Sequence, residues 1–107
     1  MCGISGIITR ANIPKISIIK NMKNSLQHRG PDSDGLWYDI SQGVYFGHNR
    51  LSIIDLSDNA KQPMISKNNR YVMVYNGEVY NHEKLRYELL KETKINFNSH
   101  SDTEIIL

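Results

Sequence analysis

Apolar and polar positions alternate differently along the chain, and the change of period marks its elements. Residues 2–9 (CGISGIIT) are short, β-branched and broken by two glycines, which predicts a strand close to the terminus. From Pro14 onward Ile16, Ile19, Met22 and Leu26 recur at helical spacing with lysines between them, predicting a helix over 14–27. It has to stop near Gly30-Pro31, because the residue before a proline is pushed out of the α region, so HRGPDSDG (28–35) reads as loop. Residues 36–40 and 44–48 read as two antiparallel strands joined through Ser41-Gln42-Gly43. After Asp55 turn chemistry takes over and a polar loop runs to Gln62-Pro63. Residues 71–75 (YVMVY) form the most apolar run and predict a buried strand, ending at Asn76-Gly77.

The last third reads as helical. Asn81 has the character of an N-cap, with Tyr80 before it placed to pack on Leu85 as a hydrophobic staple, and a helix is predicted over 82–93. Ser101 and Glu104 have capping-box spacing ahead of Ile105-Ile106-Leu107, so a further helix starts here with one turn present. A single turn is unstable alone, and the expectation is that these residues are part of a longer chain.

Composition narrows the class. Of 107 residues, 13 are basic and 11 acidic, for a net charge of +2, and 39% are apolar, which fits one globular domain. The basic residues are scattered, so a nucleic-acid partner is not expected. No apolar stretch approaches the roughly 20 residues of a membrane span, and the N-terminus lacks the basic flank and apolar core of a secretion signal. No membrane partner and a cytoplasmic location follow as expectations, consistent with a single cysteine in a reducing compartment.

Cys2 is the first candidate for chemistry. Removing the initiator Met would leave nucleophilic thiol and basic α-amine on one residue, with reference pKa values of about 8.5 and 7.7 to 8.0, so proton exchange between them costs little near neutrality. A cysteine there can equally be a small buried residue. Asn76-Gly77 offers a side-chain amide and an unobstructed backbone N–H for an oxyanion, yet the same dipeptide is a strong hairpin signal. Arg50 can grip a carboxylate through two parallel hydrogen bonds or simply follow a strand, and Asp102 can bind an ammonium group or complement a helix dipole. Cys2, His28, His48, His82 and His100 lack the paired spacing of a zinc site, so no metal is expected, and no glycine-rich nucleotide loop is present. Arg29 and Asp32 in HRGPD are expected to help shape the pocket or its lid and receive no role in proton transfer.

Taken together, MCGISG at 1–6, HRGPD at 28–32, GHNRLSIID at 47–55, QPM at 62–64, YNGEVYN at 75–81 and SDTE at 101–104 resemble the glutamine-hydrolysing asparagine synthetases, in that family's order. The resemblance is to the N-terminal glutaminase domain, a class II amidotransferase, and covers residues 1–107 as a partial domain truncated at its C-terminus. It implies an α+β fold of the N-terminal nucleophile hydrolase type, with two antiparallel sheets sandwiched between helices. Cys2 is the implied nucleophile, with the oxyanion hole at Asn76 and Gly77. The implied glutamine site comprises Arg50, Leu51, Ser52, Ile53 and Ile54, then Asn76, Gly77 and Glu78, and Asp102.

The implied reaction converts L-glutamine to glutamate and ammonia through a thioester. In the longer protein, ammonia would serve the ATP-dependent conversion of aspartate to asparagine on a C-terminal synthetase domain. No cofactor is expected in the glutaminase domain itself, while ATP and magnesium belong to the synthetase domain. Two alternatives stay open: an amidotransferase with a sugar or other carboxylate acceptor, and an inactive glutamine-binding fragment. A homodimer is the quaternary arrangement left open.

Overall fold

The computed structural model describes every residue except Asn12 and Ile54. Its strands are β1 (Gly3–Ile8), β2 (Ser33–Asp39), β3 (Val44–Arg50), β4 (Met64–Ile65) and β5 (Val72–Met73), and its helices α1 (Ile16–Ser25), α2 (His82–Glu92) and α3 (Thr103–Ile106). Single 3-10 turns occupy Gln27–Arg29 and Asp58–Ala60. The larger sheet has the order β1-β3-β2, antiparallel throughout, and β4 pairs with β5 in a separate two-stranded ladder. The architecture is α+β with antiparallel sheets and few helices.

The β2–β3 hairpin is built by its aromatic residues. Trp37 lies opposite Phe46 and Tyr38 opposite Tyr45, and each pair stacks, with centroids 5.8 and 6.1 Å apart. Consecutive residues of a strand face opposite sides, so one pair stiffens each face. Gly43 closes the turn at φ +64°, a left-handed conformation in which a Cβ would be strained. Helix α1 packs on β1 and β3, and among the described residues Ile19, Tyr45 and His48 are the large side chains most completely removed from water. Lys23, also buried, reaches from α1 to pair with Asp34 of β2.

Several expectations are corrected. The first helix is shorter than 14–27, since Lys15 already has non-helical torsions and no side chain caps the helix, while Leu26 leads into the 3-10 turn. The loop assigned to 28–35 ends early: Ser33, Asp34 and Gly35 pair with Arg50, Asn49 and His48, because the ladder and the Lys23 ion pair outweigh their turn propensity. Of residues 71–75 only Val72 and Met73 form a strand, half-buried, and Tyr71 is 52% exposed. Tyr80 is 88% exposed, so the staple to Leu85 does not form, and Asn81 caps α2 without a side-chain hydrogen bond. The capping box is rearranged as well. Ser101 Oγ accepts from Thr103 N–H at 3.1 Å, but the Glu104 carboxylate turns back to the N–H groups of Asn98 and Ser99, both at 2.8 Å. Among the described residues no helix is long and apolar enough to cross a membrane.

Candidate active site

The antiparallel register brings distant residues to one end of the larger sheet. Gly3 pairs with Asn49, so Cys2 and Arg50 stand one step further on, at the edge where β2 also begins with Ser33 opposite Arg50. Gly30 makes the approach of the preceding loop feasible: a Cβ there would lie 2.3 Å from the Asn49 carbonyl oxygen. The loop then ties the edge together. Asp32 N–H donates to the Arg50 carbonyl at 3.0 Å, and Asp32 Oδ2 accepts from Ser52 N–H at 2.7 Å.

Cys2 is a free, half-buried thiol. Its Sγ accepts from Leu51 N–H at 3.4 Å and lies 3.7 Å from the Leu51 carbonyl, while Arg29 Nε donates to the Cys2 carbonyl at 3.2 Å. The thiol is therefore fixed from both sides of its backbone. Met1 precedes it and is 73% exposed, within reach of a processing enzyme.

A cleft of about 310 Å³ opens over Cys2 and is lined also by Arg50, Leu51, Ile53, Asn76, Gly77, Glu78 and Asp102. Such a volume suits a small polar ligand. A larger groove of about 570 Å³ lies along β4, α2 and α3 but contains none of these residues. Ser52 does not line the cleft, and Ile54 lies outside the described residues.

The charged groups are partly engaged. Arg50 is buried, with Nη1 donating to the Ser57 carbonyl at 3.0 Å and Nη2 to the Asp55 carbonyl, which leaves one hydrogen on each terminal nitrogen. Asp102, buried as well, accepts from Val79 N–H through Oδ2 at 2.8 Å. Asp55 Oδ1 accepts from Ser57 N–H and Oδ2 from His100 N–H, both at 2.7 Å. Hydrogen bonds from the Ser57 side chain and backbone, then His100 N–H and the nearby Arg50 charge, lower the Asp55 carboxyl to about 2. His48 is fully buried at the end of β3, and its Nε2 lies 3.2 Å from the Tyr75 carbonyl. Burial lowers its pKa, the Tyr75 carbonyl opposes that, and Arg50 adds to it, so the ring is neutral near pH 7.

Residues 1–107 match the family described as the glutamine amidotransferase domain. The chain belongs to that family. It is 42% identical over 112 residues to asparagine synthetase [glutamine-hydrolyzing] 1 of Bacillus subtilis, covering all of this chain and 17% of that protein. It is 38% identical over 111 residues to a probable asparagine synthetase [glutamine-hydrolyzing] of Dictyostelium discoideum, again over the whole chain and 19% of the relative. A protein named Amidase chry2 from Gibberella zeae is 37% identical over 118 residues, with 17% of its length covered. The chain thus spans less than a fifth of the length of these relatives.

Four further residues brace the cleft of this amidotransferase domain: Arg29 and Asp32, expected from the sequence to shape the pocket, and His48 and Gln62, for which the sequence suggested no role. Arg29 and Asp32 hold the backbones of Cys2 and Ser52, while His48 and Gln62 both reach Tyr75. Arg29 and Asp32 were detectable as charged residues in a tight Gly-Pro loop. His48 and Gln62 had no local signal, because their partners lie 27 and 13 residues away.

Proposed function

We propose that this domain hydrolyses L-glutamine to glutamate and ammonia with Cys2 as the N-terminal nucleophile. The observation that carries the reading is the convergence of Cys2, Asn76, Gly77, Arg50 and Asp102, from four separate segments, on one cleft in a glutamine amidotransferase domain. With Met1 removed, the Cys2 α-amine takes the thiol proton and Sγ attacks the side-chain amide carbon. Negative charge develops on the former carbonyl oxygen. The Asn76 side-chain amide and Gly77 N–H donate to that oxyanion, and removing one such donor typically costs about 3 to 4 kcal/mol of transition-state stabilisation. Collapse breaks the C–N bond, the ammonium form of the Cys2 amine returns its proton to the departing nitrogen, and a thioester remains. The neutral amine next takes a proton from water, whose oxygen attacks the thioester, releasing glutamate and restoring the thiol.

Substrate orientation follows from the charges. The remaining hydrogens of the Arg50 guanidinium face the α-carboxylate, and Asp102 holds the α-ammonium. Glu78, Leu51 and Ile53 complete the cleft. The same reading places the two sheets in the sandwich of an N-terminal nucleophile hydrolase. In a full-length enzyme, as the family resemblance implies, ammonia would pass to a synthetase domain that uses ATP and magnesium to convert aspartate to asparagine. Asparagine synthesis with glutamine hydrolysis is what the relatives' names state of those proteins.

The test is ammonia release from L-glutamine by the natural full-length protein with loss of Met1 confirmed by mass, beside a Cys2→Ala variant. Equal amounts of glutamate and ammonia, reduced at least about 10³-fold by the substitution, are expected. Turnover that survives Cys2→Ala would overturn the assignment.

A further inference from the structure

The segment that carries the oxyanion donors is not held by sheet pairing. β5 ends at Met73, and Asn76 and Gly77 follow in an exposed loop. Between residues 74 and 79 the backbone is anchored by three side chains from elsewhere in the chain. Tyr75 N–H donates to Gln62 Oε1, the Tyr75 carbonyl faces His48 Nε2 at 3.2 Å, and Val79 N–H donates to Asp102 Oδ2 at 2.8 Å. All three anchors are buried: His48 is 0%, Gln62 7% and Asp102 6% exposed. Asp102 is already assigned to the substrate, whereas His48 and Gln62 meet the segment through Tyr75 alone.

The tautomer of His48 follows from its partners. A carbonyl only accepts, so Nε2 must carry the hydrogen, while the buried Nδ1 has no partner among the described residues and keeps its lone pair. His48 thus presents a fixed N–H to one side of the Tyr75 peptide unit as Gln62 presents a fixed carbonyl to the other. Both hydrogen-bonding groups of the residue preceding Asn76 are set by buried side chains.

We propose that His48 and Gln62 are positioning residues that clamp Tyr75 and thereby place Asn76 and Gly77 against the developing oxyanion. The inference rests on the reading of Asn76 and Gly77 as oxyanion donors. Donors displaced from where the charge appears lose more transition-state stabilisation than substrate binding, so kcat falls by much more than KM rises.

The decisive comparison is His48→Gln against His48→Asn in the full-length protein with Met1 removed. Both introduce a neutral amide, but the Gln nitrogen reaches about as far as imidazole Nε2 and the Asn nitrogen stops short of Tyr75. Expected are a kcat within about threefold of the parent for Gln, a loss of about tenfold to a hundredfold for Asn, and KM for glutamine within about threefold for both. Gln62→Glu, which keeps an acceptor, and Gln62→Met, which removes it, should divide in the same way. Should Met at 62 not fold, the pair at 48 decides alone. Equal kcat for the two variants at 48, or an effect confined to a rise in KM, would overturn the proposal. Asn76→Ala, measured alongside, separates the two levels: no loss of kcat there overturns the oxyanion reading, whereas a loss there with equal variants at 48 overturns the clamp alone.

Discussion

Arg50 shows how one side chain serves both scaffold and ligand. Its terminal nitrogens donate to the carbonyls of Asp55 and Ser57, and those bonds fix the guanidinium plane at the wall of the cleft before any carboxylate arrives. Lysine has no fork with which to satisfy both the loop and a substrate. Arg50→Lys should therefore raise KM for glutamine about tenfold or more, with a smaller effect on kcat, as read from initial rates; an unchanged KM would remove Arg50 from the substrate site. Asp55 contributes differently. Its carboxyl is lowered from 3.8 to about 2, so the charged form favours the folded state, and that contribution is complete above about pH 4 and lost as pH falls from there through 2. Asp55→Asn should flatten the acid-unfolding curve in that window and lower stability at pH 7 by about 1 to 2 kcal/mol, measured by circular dichroism and urea. A curve superposable on the parent's would show that the hydrogen-bonded carboxylate is not what responds to acid.

Among the elements, the contact of the 28–32 loop with the end of β3 decides whether Cys2 and Arg50 meet. Gly30→Ala would drive a methyl group into the Asn49 carbonyl, and backbone on both sides has little freedom to yield. A loss of about 1 to 3 kcal/mol is expected in urea unfolding, together with reduced glutaminase activity; a variant of parental stability and activity would show that the two segments move apart at little cost. This element was only partly visible in the sequence. The middle of α1 and α2 follows from helical periodicity, and the hairpin from its two runs about a glycine turn. The first strand follows from its β-branched residues, even though Ile4 and Ile8 are exposed there and Ser5 is buried. Ser33-Asp34-Gly35 read as loop, since neither their pairing with β3 nor the Lys23 ion pair is encoded locally. The reverse holds for residues 71–75, where five apolar or aromatic residues suggested a long strand but Gln62 takes the Tyr75 N–H that a ladder would have used. The cleft residues came from the family resemblance, since locally Asn76-Gly77 reads equally as a turn and Arg50 as a residue after a strand, while the anchors behind them, His48 and Gln62, became visible only once the chain was folded.

At the scale of the whole molecule, the 107 residues measure 45 × 30 × 19 Å with a radius of gyration of 14.8 Å, against about 13 Å for a compact chain of this length. The accessible surface of 7235 Å² likewise exceeds the roughly 6,100 Å² typical of a monomer of this mass. Apolar side chains account for part of the excess, Ile65, Tyr71, Ile95 and Ile106 being 41 to 52% exposed around the larger groove. The 107-residue chain by itself should accordingly bind a hydrophobic dye and self-associate at micromolar concentration on a sizing column. A monodisperse monomer without dye binding would contradict this picture.

The central claim concerns one bond, between Cys2 Sγ and the glutamyl carbon of the substrate. It is tested most directly by acid-quenching the full-length, Met1-free enzyme during turnover with L-glutamine and mapping its N-terminal peptide by mass spectrometry. A glutamyl group on Cys2 is expected, labile to hydroxylamine as a thioester is, and more abundant when water attack is slowed at low temperature. Steady turnover with the N-terminal peptide unmodified at every quench time, or the glutamyl group on any other residue, would contradict it.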